Sequence, residues 1–187
     1  MFRSLWRGWR DARARDARTE AYVASILEEP SPEDVGWLTA NGTGGDADHA
    51  RWELRYARRA LGLVTAQRDA LDDRTASDVA HALERAMEAD TTVAPDKRRI
   101  ASRQLHARLR AYAEAMQVRA APGTGWHLGS ALLEFAGRQG PAGDEVIARA
   151  GDIAARYLEE SNASLRDCFG TAALPEDVAP SALARRR

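Results

Sequence analysis

The sequence predicts an all-α fold, a single-domain helical bundle of about six helices, mostly antiparallel. Three observations predict it. Apolar residues recur with a period near 3.6 along most of the chain, no stretch sustains the period-two alternation of a strand, and Ser, Thr, Asp, Pro and Gly punctuate the pattern where helix caps belong.

The elements follow in order. Residues 2–28 make a first helix, with an apolar stripe of Phe2, Leu5, Trp6 and Trp9 that resumes at Val23, Ile26 and Leu27. Between them Arg13, Asp16 and Glu20 fall on the same stripe, so the helix is exposed in its middle or breaks there. "SPEDVGWLTANG" starts a short helix with a Ser cap, Pro in the first turn and two acids near the positive end of the dipole. The Gly-rich "NGTGGDAD" leads into the helix at 47–71, and "TASDVAHALERAME" reads as the next, capped by Thr75. Helices at 95–118, 124–138 and 143–168 follow, the last stopping at Gly170. Residues 1–170 are thus one helical domain with residues 1–11 able to act as an N-terminal arm, and 171–187, with two prolines and no long apolar stripe, form an extended tail.

Composition narrows the function classes. At 187 residues, 44% hydrophobic and 29% charged, the chain is of ordinary globular make-up and large enough to bury a core. A net charge of -1 gives no overall field for nucleic acid, which is not expected as a partner. Lys97 is the sole lysine among 27 basic residues, a bias that reads as GC-rich codon usage. The one cysteine, Cys168, can form no internal disulfide, and this with the absence of a signal-like apolar run places the expected location in the cytoplasm.

The inward polar pair of the third helix is the candidate site. At about 100° per residue, Trp52, Leu54, Tyr56, Ala57, Ala60, Leu61, Leu63 and Val64 fill one broad arc, and His49 and Glu53 fall within it. Arg51, Arg55, Arg58 and Arg59 read as the solvent face. An unpaired carboxylate costs several kcal/mol to bury, so Glu53 must meet an Arg of another helix, a metal ion or His49. His and Glu four residues apart can share a divalent metal, with His127 and Glu134 of the 124–138 helix as the remaining ligands of such a site. Neither a Glu-x-x-His nor a His-Glu-x-x-His motif accompanies them, and an ion pair is the plainer expectation.

Other motifs have simpler readings. "DDRTASD" matches the Asp-rich motif with which prenyltransferases hold magnesium diphosphate, but it spans the turn between two helices and serves capping. "NGTGGD" lacks the spacing of a phosphate-binding loop. Cys168 reads as a small core residue, and Ser161 and Ser164 as hydroxyls bonded back to their own helix. The aromatic stripe Phe2, Leu5, Trp6 and Trp9, flanked by Arg3, Arg7 and Arg10, suits a partner groove or peripheral contact with a membrane interface, and equally packing onto its own bundle. The expected function is therefore a non-catalytic bundle acting through protein contacts or self-association, with no cofactor. The alternative is a metal- or small-molecule-binding bundle, hydrolase-like in chemistry, centred on His49 and Glu53.

Overall fold

The computed structural model describes residues 2–70 and 72–171, with side chains described from residue 12 onward. The described chain is all-helical: α1 (Phe2–Ile26), α2 (Pro32–Asn41), α3 (Ala47–Asp69), α4 (Asp73–Ala89), a 3-10 turn (Pro95–Lys97), α5 (Arg98–Gln117), α6 (Thr124–Phe135) and α7 (Asp144–Phe169). No helix among the described residues is long and apolar enough to cross a membrane. The side chains of Phe2, Leu5, Trp6 and Trp9, and the tail beyond Thr171, lie outside the described residues.

Local chemistry sets most of the boundaries. The Ser31 hydroxyl accepts the Asp34 N–H, with Pro32 in the first turn, and Asp46 does the same for the His49 N–H at 2.9 Å. α4 starts earlier than its sequence suggests: Asp72, not Thr75, is the cap, its carboxylate accepting the Thr75 N–H at 2.6 Å, while Thr75 is buried inside the helix. Both residues can cap, and the acid one turn upstream captures the free N–H groups first. Gly170, at φ 85°, ends α7 in a conformation that a side chain would oppose.

α3 is the central element. Its Ala50, Leu54, Ala57, Ala60 and Leu61 are fully buried, and α2, α4, α5, α6, α7 and part of α1 surround it. Of the arginine side expected to face solvent, Arg51 does so at 42% exposed, but Arg55, Arg58 and Arg59 are covered. Arg59 is buried and loses hydration to the point that its pKa is lowered, and Arg55 and Arg58 are held against Glu29, Glu28 and Glu160. Helical periodicity locates an apolar arc but does not say whether the polar arc is also roofed, and here the roof is built of acids.

Neighbouring helices fix the direction of packing. α1 and α7 run antiparallel, joined by the Ser25–Ser164 hydroxyl pair at 2.7 Å and the Tyr22–Phe169 edge contact. Ser164 therefore bonds across helices and not back to its own carbonyls. α1 and α4 run side by side in the same direction: Arg15 lies near Asp72 at the start of α4, and Leu27 near Ala86 and Met87 at its end. α6 and α7 approach most closely, because a Cβ on Gly129 would strike the Ile147 carbonyl and one on Gly151 the Gly125 carbonyl.

Candidate functional site

Glu53 sits where α3 meets α5. Its carboxylate is 4% exposed and accepts two hydrogen bonds from Arg108, Nε to Oε2 at 3.0 Å and Nη2 to Oε1 at 2.5 Å. The fork geometry is the one in which Arg and carboxylate bind most strongly. Arg108 reaches Glu53 because it shares one stripe of α5 with Ala101, Leu105, Tyr112 and Ala115. Its Nη1 donates to the Gln104 side chain and main-chain carbonyl, and its guanidinium lies over the rings of Phe135 (4.3 Å) and Tyr56 (5.1 Å). Behind the pair stands the Tyr112 ring. Burial first, and the Glu53 charge second, push its phenol pKa well above the ordinary value, so it stays neutral.

His49 occupies the rim. It is 39% exposed, with Nε2 3.4 Å from Glu53 Oε1. His49, Glu53, Gln104, Arg108, Trp52 and Lys97 line an open hollow of about 480 Å³. Because Arg108 engages both Glu53 oxygens, the carboxylate anchors a buried ion pair and is poorly placed to take a proton from a substrate. His127 is half-buried near the start of α6 with its Nε2 lacking a hydrogen-bond partner among the described residues, and Glu134 is exposed. Among the described residues no three His, Cys, Asp or Glu side chains are grouped closely enough to hold a metal ion. His49 and Glu53 are brought together; His127 and Glu134 do not join them.

A second buried acid escapes the sequence reading. Asp34, in the first turn of α2, is 1% exposed and accepts a hydrogen bond from Arg156 of α7, with Arg149 at 4.0 Å. Burial alone would lower the Arg156 pKa, but the hydrogen bond to Asp34 and its charge outweigh this and raise it. Cys168 is half-buried and packed against the core beside Phe169.

A groove of about 690 Å³ runs between α4 and α5. Leu63, Leu83, Leu105, Leu109 and Met87 form its floor. Glu84 and Glu88 stand on the α4 wall with His81, and Arg98 and Arg99 on the α5 wall with His106. Each imidazole donates Nδ1–H to the carbonyl four residues before it, Ser77 at 2.9 Å and Ser102 at 2.8 Å, so that Nε2 of the neutral ring is the acceptor. The chain matches no protein-family model, and neither a curated protein nor a solved structure is similar to it.

Proposed function

We propose that this protein is a non-catalytic assembly module, a helical bundle that self-associates through the aromatic stripe Phe2, Leu5, Trp6 and Trp9 of its N-terminal helix. The observation that carries this reading is the exposure of α1 just upstream of Thr19. Its first buried side chain among the described residues is Thr19, and none from Ala12 to Arg18 is buried. Both helices beside it run out at the same level, α4 starting near Arg15 and α7 ending at Phe169 near Arg18. Continued upstream to Phe2, the helix extends about 20 Å beyond that level at the α-helical rise. Charge supports a second copy as the partner. Residues 1–18 hold six Arg against two Asp, whereas the remainder of the chain holds 21 basic against 26 acidic residues, so the arm and the body are of opposite sign.

Deleting residues 1–11 and measuring mass by light scattering tests the reading. The full chain is expected as a dimer or larger, and the truncated chain as a monomer whose melting temperature is within about 2 °C, since the first buried side chain of α1 among the described residues is Thr19. Equal masses for the two proteins overturn it.

His49 supports a second reading, a metal- or small-molecule-binding bundle, because a half-exposed imidazole beside a carboxylate borders the hollow. Under that reading added divalent metal raises the melting temperature of the wild type and not of Glu53→Gln. Under the first, metal leaves both unchanged.

A further inference from the structure

We infer that the groove between α4 and α5 is the receptor for the N-terminal helix of a second copy of this chain, which rests on the self-association reading and names its other half. The groove has the form of a helix-binding site, a leucine-lined floor between two polar walls. The arm has the matching pattern, with Phe2, Leu5, Trp6 and Trp9 at i, i+3, i+4 and i+7.

The flanks of the arm also match the walls. At about 100° per residue, Arg3, Arg7 and Arg10 fall along one side of the aromatic stripe, and the uncharged Ser4, Gly8 and Ala12 along the other. Seated in the groove, the arginine flank lies on Glu84 and Glu88, which are exposed and have no salt bridge among the described residues. The uncharged flank lies on Arg98 and Arg99, where a basic residue would be repelled. The free Nε2 acceptors of His81 and His106 are the complement of the two indole N–H donors that Trp6 and Trp9 must satisfy when buried.

The arm cannot fill the groove of its own chain. α1 is an unbroken helix that packs along the Asp78, His81 and Arg85 side of α4, and it leads away past the start of α4. Only another copy can bring Trp6 and Trp9 to Leu105 and Met87. Exchange of arms between two chains closes a two-fold dimer.

The test is the dimer dissociation constant by analytical ultracentrifugation for four full-length proteins. These are the wild type, a groove variant (Glu84→Arg with Glu88→Arg), an arm variant (Arg3→Glu with Arg7→Glu), and the variant carrying all four changes. All four positions are exposed or lie in the arm, and circular dichroism melts verify the fold. Each double variant is expected to weaken the dimer at least about tenfold, because two attractions become repulsions. The fourfold variant is expected to recover most of that loss. An unchanged constant in the groove variant, while deletion of residues 1–11 still gives monomer, overturns the groove and leaves self-association standing. A full chain that is monomeric throughout overturns both.

Discussion

Glu53 and Asp34 are both withdrawn from water, 4% and 1% exposed, yet they are neutralised in opposite ways. Glu53 meets one guanidinium that is itself 7% exposed, in a two-bond fork packed over the rings of Phe135 and Tyr56. Asp34 meets two arginines that are only half-buried, Arg156 at 40% and Arg149 at 36% exposed. The first is a buried pair between α3 and α5, in which each charge depends chiefly on the other. The second is a buried anion under a half-exposed lid, with a second cation at 4.0 Å able to take over part of what is lost. Desolvation is what separates them: a partner already stripped of water cannot be substituted, and a hydrated one can.

The largest expected effect tests the buried pair. Arg108→Ala leaves an unpaired carboxylate in the core and is expected to cost about 3–5 kcal/mol in urea unfolding. Replacing both partners by apolar residues of similar size, Glu53→Leu with Arg108→Met, removes charge and countercharge together and is expected to restore stability to within about 1 kcal/mol of wild type. A single Arg108→Ala that costs less than about 1 kcal/mol would place water in the pair and erase its difference from Asp34. Glu53→Gln is the milder change, keeping shape and one acceptor, and is expected to cost about 1–3 kcal/mol.

The same two acids show what the sequence made legible. Glu53 stands in an arc of Trp52, Tyr56, Ala57 and Leu61, so helical geometry alone places it inward and demands a partner. Arg108 was on view as well, at the centre of the Ala101, Leu105, Tyr112 and Ala115 stripe. Its signal was hidden because arginine is abundant here, and Arg99, Arg103 and Arg110 draw attention to the other side of α5. Asp34 was not legible. An acid in the first turn of a helix is explained by the dipole, and only the docking of α7 over that turn buries it. Long-range covering explains the other misreading too, since nothing local to α3 announces that Glu28, Glu29 and Glu160 roof its arginine face. Nor does local pattern show that Gly125, Gly129 and Gly151 mark the closest helix contact.

The half-exposed lid over Asp34 predicts a smaller loss. Arg156→Ala is expected to cost about 1 kcal/mol, less than half the effect of Arg108→Ala, because the guanidinium is partly hydrated and Arg149 remains nearby. Removing both arginines is expected to cost more than the two single changes together, since the second deletion is the one that strands Asp34. Additive losses would mean that the two cations act independently and that Arg149 is no reserve.

The smallest effect belongs to a carboxylate with no arginine bonded to it. Asp72 is exposed at the start of α4, and its pKa is lowered from 3.8, first by the Thr75 N–H and then by the Thr75 hydroxyl. A carboxyl whose folded pKa lies below its unfolded one binds protons more tightly in the unfolded chain. Its stabilisation is therefore present above the unfolded value and is lost as pH falls through the folded value. Asn at the same position keeps an acceptor for the Thr75 N–H but has no charge to lose. The wild type is accordingly expected to melt slightly above Asp72→Asn at about pH 6, with the gap closing as pH is lowered towards about 2. Glu53→Gln and Arg156→Ala supply the contrast, because their losses come from removing a partner inside or beside the core and appear in full near neutral pH. A gap between wild type and Asp72→Asn that stayed constant across the titration would show that α4 is capped by geometry alone, with the charge of Asp72 contributing nothing.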